Sequence, residues 1–212
     1  MSIVLLIRHA ENDYMKANRL ACRLPGVHLN EEGRLHSQAL AEALAPRLKE
    51  AGEHLRGLFS SPLERARETA QPLAEILGMP VLVRERLMET DCGEWAGKTV
   101  KGLSRLKLWK MVQQNPAQFR FPGGESFAEI QQRFVAEVDA LRAEFADPKD
   151  VIVCFAHADP IKLAVAHYLN IPLNDFQRLV ISPASVTILQ IDEKSARLWM
   201  LNASPALPSL QL

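Results

Sequence analysis

Hydrophobic runs of five or six residues occur at two places in the chain and are typical of strands buried on both faces of a sheet. These runs cover residues 3–7 and 151–156, and we expect them to form central strands of a parallel sheet. Shorter apolar segments predict further strands at residues 57–60, 79–83, 179–182, 185–191 and 197–201. The last two segments are close enough in sequence to form a hairpin.

Apolar residues at helical spacing predict the elements between these strands. Asn30 is a suitable N-cap for a helix over 31–50, with Leu35 and Leu40 on its apolar face and a kink at Pro46. Ser61 and Pro62 predict the start of a helix that extends to residue 77. Further helical patterns cover residues 99–114, 126–145 and 160–169.

The order of these elements predicts an α/β fold. Strands and helices alternate along most of the chain, which favours a three-layer helix–sheet–helix sandwich with a mostly parallel central sheet. We expect one domain over residues 1–212. Residues 98–125 interrupt the alternation, and we interpret them as a lid insertion.

The composition and net charge of the chain limit the classes of partner that we expect it to bind. The chain has 48% hydrophobic and 24% charged residues, which is usual for a globular protein. Its 25 basic and 25 acidic residues cancel, so no overall charge attracts nucleic acid or an anionic membrane. The longest apolar runs are far shorter than the roughly 18 residues of a membrane span. The first residues lack a signal-peptide pattern.

The three cysteines are too few and too scattered to predict a disulfide framework or a zinc site. Cys154 lies within an apolar run and is expected to be a buried small hydrophobic residue. Cys92 lies three residues from Glu89 and receives no role, because it has no obvious activating partner in the sequence. A reducing, cytoplasmic compartment fits this usage.

Polar segments follow four of the predicted strands directly, at the edge of the sheet where α/β proteins bind ligands. They are Arg8-His9, residues 60–65, the loop 84–97, and His157-Ala158-Asp159. Arginine forks suit phosphate oxygens, and a neutral imidazole can attack phosphorus. A carboxyl group such as Glu89 can protonate the leaving oxygen and then activate water.

We expect this chemistry to need no metal and no cofactor. The sequence has no P-loop and no cluster of aspartates for magnesium, so the positive charge comes from side chains. His157 as an imidazolium would add charge in the transition state. Asp159 is interpreted as the N-cap of the helix at Pro160 rather than as a metal ligand beside His157.

The motifs around these residues resemble those of the histidine phosphatase superfamily, which has the phosphoglycerate-mutase-like fold. Six segments match in order: VLLIRHAE at 4–11, LNEEG at 29–33, SSPLERARETA at 60–70, LMETDCGEWAG at 87–97, FPGGES at 121–126, and the second histidine, His157. The closing segments 157–162 and 176–185 look like a bacterial phosphomutase or phosphatase branch. The resemblance extends from residue 3 to about residue 190.

The resemblance implies a role for each matching residue. His9 would be phosphorylated, while Arg8, Arg65 and His157 would bind the phosphoryl group, and Glu89 would be the acid and base. Asn12 stands where the family usually has serine or threonine, and its amide can still bind phosphate.

Three further positions depart from the family pattern. Alanine replaces glycine at Ala10 and Ala158, and Met15 stands where the family has an asparagine. Methionine has no group that donates a hydrogen bond to phosphate. One family contact to phosphate is therefore expected to be missing.

Several other features have simpler interpretations beside the functional ones. Arg67 is expected on a solvated helix face. The basic residues of the insertion, which are Lys98, Lys101, Arg105, Lys107 and Lys110, either form a solvated face or guide an anionic substrate. Trp95 and Trp109 either line the pocket or pack the insertion.

These observations support one leading hypothesis and two alternatives. The leading hypothesis is a metal-independent phosphatase that acts on small phosphomonoesters through a phosphohistidine at His9. A phosphoglycerate-type mutase ranks lower, because such mutases tend to have longer insertions than 98–125. The third hypothesis is a non-catalytic phosphate-binding relative. No nucleic acid or membrane is expected as a partner, and the late strands can pair across a homodimer.

Overall fold

The computed structural model describes residues 2–145, 147–193 and 195–204. Strands and helices alternate over most of this length. The strands are β1 (Ser2–Arg8), β2 (Leu55–Ser60), β3 (Val81–Val83), β4 (Val151–Ala156), β5 (Val186–Ile191) and β6 (Ala196–Ala203). The helices are α1 (Asp13–Lys16), α2 (Glu31–Ala51), α3 (Glu64–Leu77), α4 (Val100–Leu103), α5 (Lys107–Gln114), α6 (Phe127–Glu144) and α7 (Ala158–Tyr168).

The six strands form one sheet in the order β3-β2-β4-β1-β5-β6. Strands β1 to β4 are parallel, whereas β5 and β6 are antiparallel to their neighbours. This arrangement confirms the predicted, mostly parallel sheet. The register of β1 against β4 pairs Arg8 with Ala156, so the residues that follow the two strands, His9 and His157, leave the sheet side by side.

Helices cover both faces of the sheet, which confirms the three-layer architecture. Alternate side chains of β1 face opposite layers, as the pleat of a strand requires. Leu5 and Ile7 pack in a core with α2 and α3, whereas Val4 and Leu6 pack in a second core with α6 and α7. Burial on both faces explains why β1 and β4 are continuous apolar runs.

The helices differ from the sequence-based expectations in three places. Leu35 is 66% exposed, and the buried face of α2 is shifted to Leu40 and Leu44, because α2 packs with α3 through that side. Helix α3 begins at Glu64 with Leu63 as its N-cap, two residues later than predicted from Ser61 and Pro62. The predicted helix over 99–114 is instead the two short helices α4 and α5.

The segment 179–182 does not form the predicted strand. Its polar groups bind outside the sheet instead: the carbonyl of Ile181 accepts a hydrogen bond from Arg8, and the Ser182 N–H donates to the side chain of Asn202. The segment that we expected in the sheet therefore helps to hold a predicted site residue. The expected hairpin of β5 and β6 is present.

Residues 98–125 contain α4 and α5 and cover a third hydrophobic core, which is rich in aromatic residues. Trp95 stacks on Trp109 with ring centroids 5.9 Å apart, and it also contacts Phe119 and Phe121. Gly124 lies so close to a neighbouring turn that a Cβ atom there would be 2.3 Å from the carbonyl oxygen of Asp91. The Glu125 N–H donates to the same carbonyl at 2.9 Å, which holds the end of the segment against the loop after β3.

Among the described residues, no helix has the length and apolar composition that crossing a membrane requires.

Candidate active site

The carboxyl ends of the parallel strands border a cavity of about 430 Å³. Five of the residues predicted for the site line it: Arg8, His9, Asn12, Arg65 and Glu89. The sixth, His157, is fully buried beneath them, and its ring centroid is 5.2 Å from that of His9. The fold therefore brings all six residues together, from β1, from α3, from the loop after β3 and from the start of α7.

His9 is held in one tautomer. Its Nδ1 lies 2.7 Å from the backbone carbonyl of Ala10. A carbonyl oxygen only accepts hydrogen bonds, so Nδ1 carries the proton and Nε2 has the free electron pair. Burial, together with the charges of Arg65 and Arg8, holds the pKa of His9 well below its usual value. His9 is therefore neutral near pH 7, as a nucleophile must be.

His157 is neutral for the same reasons. Burial, followed by the charges of Arg65, His9 and Arg8, lowers its pKa well below the usual value. The lowered pKa disfavours the imidazolium that we expected from the sequence. The Nε2 atom lies 2.8 Å from the hydroxyl of Ser61. When that hydroxyl donates to Nε2, the remaining ring proton lies on Nδ1, so neutral His157 can still donate to an anion.

The two arginines are only partly bonded to the protein. Arg8 donates from Nη1 to the carbonyl of Ile181 at 2.6 Å, and its Nη2 lies 3.7 Å from the sulfur of Met15. Arg65 is 1% exposed and donates from Nη2 to the carbonyl of Cys22 at 2.7 Å. These bonds fix the orientation of both guanidinium planes and leave their other N–H groups available.

The surroundings of Glu89 disfavour its charged form, unlike those of an ordinary carboxylate on a protein surface. Burial, followed by the negative charge of Asp159, raises the pKa of Glu89 above its usual value, against the opposing charges of Arg65 and Arg8. Its Oε1 accepts from the Thr90 N–H at 2.8 Å, and its Oε2 is 3.8 Å from Nδ1 of His157. A raised pKa favours the protonated form, which can act as an acid.

Asn12 and Met15 line the cavity beside Arg8. The Oδ1 atom of Asn12 accepts from the backbone N–H of Met15 and caps α1, while its Nδ2 is buried without a partner among the described residues. Met15 offers only its sulfur to Arg8. The structure thus leaves Asn12 able to donate to a ligand, and places Met15 where the family has an asparagine.

Several buried donors without partners meet at this one site. Within the described ranges, such atoms include Nε of Arg8, Nε and Nη1 of Arg65, Nδ2 of Asn12 and Nδ1 of His157. Buried polar groups are normally hydrogen-bonded, because leaving one unsatisfied costs about 1–3 kcal/mol. A tetrahedral anion with several acceptor oxygens would satisfy these donors together.

A metal ion fits this site less well than an anion. Nitrogen and oxygen atoms of His9, Glu89 and His157 lie within 4.8 Å of one another, close enough to bind a single ion. This grouping was not evident from sequence, where only His157 and Asp159 were considered. Arg8 and Arg65 flank the same space, however, and two buried positive charges oppose the entry of a cation.

Two expectations from the sequence were wrong, one about Asp159 and one about the cysteines. Asp159 is not the N-cap of α7: the helix begins at Ala158 with His157 at the cap, and the Asp159 side chain lines the cavity. Cys22 and Cys92 form a disulfide between loops 70 residues apart in sequence, with Cα atoms 6.0 Å apart. Both cysteines line the cavity. Cys154 is buried and free, as predicted.

The sequence interpretation missed a network that positions Glu89. Arg133 of α6 donates to the backbone carbonyls of Met88 and Glu89 and to the carboxylate of Glu125. Arg23 also donates to the Glu89 carbonyl and to Glu125. Glu125 belongs to the FPGGES motif, so the resemblance itself contained a signal for this role.

The structure also places the other side chains that had alternative interpretations at the level of the sequence. Arg67 is exposed, as expected for a solvated helix face. The five basic residues of 98–125 are exposed, and none of them lines the main cavity. They therefore do not bind the phosphoryl group directly, and exposure fits both a solvated face and guidance of an anionic substrate. Trp95 and Trp109 stack on each other and border a second cavity of about 260 Å³ beside the first.

Curated relatives of the chain include phosphatases and a mutase. Phosphoserine phosphatase 1 of Hydrogenobacter thermophilus is 27% identical over 204 residues, covering 94% of this chain and 91% of the relative. Glucosyl-3-phosphoglycerate phosphatase of Mycobacterium tuberculosis is 30% identical over 183 residues, covering 83% and 79%. A 2,3-bisphosphoglycerate-dependent phosphoglycerate mutase of Thermoplasma acidophilum is 26% identical, covering 91% and 88%.

Solved structures give the same grouping. The mycobacterial glucosyl-3-phosphoglycerate phosphatase in complex with VO3 matches with a TM-score of 0.85 and 29% identity, covering 96% of this chain and all of that chain. The family model of the histidine phosphatase superfamily (branch 1) matches residues 4–204. The site geometry and these matches agree, and the chain belongs to the histidine phosphatase superfamily.

Proposed function

We propose that this protein hydrolyses small phosphomonoesters through a phosphohistidine on Nε2 of His9, without a metal or a cofactor. The observation that carries the proposal is the set of buried donors without partners on Arg8, Arg65, Asn12 and His157, beside a neutral imidazole whose Nε2 is free. Such a site binds the phosphoryl group first. Its relatives include enzymes named as phosphatases of small phosphorylated molecules.

The first step transfers the phosphoryl group to the enzyme. The electron pair on Nε2 of His9 attacks phosphorus, and the bond from phosphorus to the ester oxygen breaks. Glu89, protonated because burial raises its pKa, gives its proton to the leaving oxygen. Arg8, Arg65, Asn12 and His157 donate to the three oxygens of the phosphoryl group as charge spreads over them.

The second step returns the enzyme to its starting state. Glu89, now a carboxylate, accepts a proton from a water molecule as that water attacks phosphorus. The nitrogen–phosphorus bond breaks, inorganic phosphate leaves, and Nε2 of His9 regains its electron pair. The bond from Nδ1 of His9 to the Ala10 carbonyl holds the ring in position through both steps.

Replacing the nucleophile tests this mechanism directly. We expect His9→Ala to lose at least a thousandfold in kcat with para-nitrophenyl phosphate, and rapid quenching of the unmodified enzyme to trap an acid-labile phosphoprotein. His36→Ala is the matched control, because His36 is exposed on α2 and outside the site. Full activity of purified His9→Ala protein would contradict the proposal.

A mutase is the second candidate, and the relative from Thermoplasma acidophilum is the observation that favours it. A mutase returns the phosphoryl group of the phosphohistidine to the substrate, whereas a phosphatase passes it to water. Incubation with 3-phosphoglycerate distinguishes the two. We expect free phosphate to accumulate faster than 2-phosphoglycerate.

The insertion 98–125 is proposed to act as a lid on a single catalytic domain. Phe121 lines the main cavity, and Trp109 and Val112 border the adjoining one. The proposed homodimer would pair through β6, an edge strand of the sheet on which Trp199 is 50% exposed. Cytoplasmic location stays a prediction, and the bond between Cys22 and Cys92 removes the support that scattered cysteines gave it.

A further inference from the structure

The wall of the cavity contains one pair of opposite charges that is given no contact with the substrate in the proposed reaction. Asp159 and Lys162 lie three residues apart on α7, on the side of the helix that faces the cavity. Both also border the second cavity, which shares Leu20, Phe121 and Gln177 with the first. A ligand that extends from the phosphate site toward the second cavity therefore passes this pair.

The two charges are only loosely satisfied by each other. Nζ of Lys162 lies 3.4 Å from Oδ1 of Asp159, longer than the 2.7–2.9 Å of a strong charge-assisted hydrogen bond. Neither side chain has another hydrogen-bond partner in the described part of the chain. Lys162 retains two N–H donors, and Asp159 retains an oxygen, for a ligand.

The other polar residues of the cavity have different partners. Arg8, His9, Arg65 and Glu89 surround the phosphoryl site. The exposed Arg19 donates to the carbonyl of Gly97 and lies over the ring of Tyr14. Gln177 donates to the carbonyl of Val112. Asp159 and Lys162 are thus a pair of adjacent opposite charges that is available for the remainder of the substrate.

A positive and a negative group side by side favour a ligand with both charges on neighbouring atoms. A substrate with only a second anion would meet Asp159 unpaired, and one with only an amine would meet Lys162 unpaired. An ammonium and a carboxylate on one carbon can satisfy both at once.

Building on the proposed phosphatase activity, we propose that Asp159 and Lys162 select phosphomonoesters whose alcohol part is zwitterionic, with the ammonium bound by Asp159 and the carboxylate by Lys162. Phosphorylated amino acids are the chemical class that this describes. The two residues are specificity determinants: they contact the part of the substrate that does not react.

Four substrates separate the two contacts. O-phosphoserine has both groups, phosphoethanolamine only the amine, 3-phosphoglycerate only the carboxylate, and para-nitrophenyl phosphate neither. The readout is kcat/KM for each of the first three divided by that for para-nitrophenyl phosphate on the same variant. A change in the phosphoryl site that all four substrates share cancels in this ratio. A change at Glu89 alters the ratios of the three alkyl phosphates alike, because para-nitrophenyl phosphate needs less help from an acid. A lost contact is therefore recognised by a difference among those three ratios.

We expect the unmodified enzyme to prefer phosphoserine to both partial analogues by tenfold or more. Lys162→Met should lower the ratio at least tenfold for phosphoserine and 3-phosphoglycerate, while Lys162→Arg preserves it. Asp159→Asn should lower the ratio for phosphoserine and phosphoethanolamine and raise it for 3-phosphoglycerate. Lys101→Met, on an exposed residue of α4, is the control for loss of a lysine.

The contrary outcomes are distinct. Turnover of para-nitrophenyl phosphate without preference for phosphoserine, or ratios that do not move in the variants, would overturn the inference and leave the phosphatase proposal standing. Failure of the unmodified enzyme to hydrolyse any of the four would contradict the phosphatase proposal itself. Circular dichroism of each variant excludes misfolding as the cause of a changed ratio.

Discussion

At the scale of the residue, the acid–base chemistry depends on where burial and charge place the pKa of each group. His9 and His157 are neutral because burial and two arginines disfavour their protonation. Glu89 retains its proton to higher pH because burial and Asp159 disfavour its charge. The same cavity thus prepares a base and an acid for one reaction, which ordinary surface residues at pH 7 would not provide.

The pH dependence of an Asp159 variant tests the assignment of Glu89 as the acid. Activity toward an alkyl phosphate should fall as pH rises through the raised pKa of Glu89, because the leaving oxygen then lacks its proton donor. Asp159→Asn removes a negative charge, so the pKa of Glu89 falls and the alkaline limb of kcat/KM moves to lower pH. We would measure this with 2-glycerol phosphate. A shift to higher pH would contradict the assignment of Glu89 as the acid.

At the scale of the element, the site depends on loops that are tied together from outside. Arg133 of α6 binds the carbonyls of Met88 and Glu89, so a helix on one face of the sheet sets the position of the acid. Glu125, whose burial would raise its pKa, has it lowered overall by bonds from Arg133 and the Asp91 N–H. The carboxylate therefore stays charged and retains its bonds to both groups.

Arg133→Met should lower kcat for 2-glycerol phosphate about tenfold or more, with a smaller change for para-nitrophenyl phosphate, whose leaving group needs less help from an acid. Arg142→Met is the matched control on the same helix. Arg142 binds the carbonyls of Ile191 and Asp192, so its loss should affect stability but not this ratio. An equal loss for both substrates would indicate general disruption instead.

The disulfide between Cys22 and Cys92 links two of the loops that border the site. Cys22 supplies the carbonyl that holds Arg65, and Cys92 follows Glu89 by three residues. A disulfide typically contributes about 2–4 kcal/mol. Cys22→Ser with Cys92→Ser, or reduction, should therefore lower Tm by roughly 4–16 °C. Alkylation in denaturant should modify one thiol before reduction and three after it; three in both cases would disprove the bond.

At the scale of the whole molecule, the sequence predicted the layers and the catalytic rim because both follow from local patterns. Continuous apolar runs identify β1 and β4, and polar residues directly after them must meet at the edge of a parallel sheet. The contact of Cys22 with Cys92 and the bonds of Arg133 depend on how distant loops pack. The spacing of residues along the chain gives no sign of these contacts. The buried face of α2 also depends on how the helix packs, so the sequence did not predict it.

The donors without partners around His9 have a consequence for folding as well as for catalysis. Each is a buried group that the empty protein leaves unsatisfied, and an anion that binds only the folded state raises the free energy of unfolding. Phosphate at a hundred times its Kd should add about 2.7 kcal/mol. Thermal melts should therefore give a higher Tm in phosphate than in chloride of equal ionic strength. The same increase is expected for the His9→Ala variant. The product of the reaction would then act as a chemical chaperone for its own enzyme.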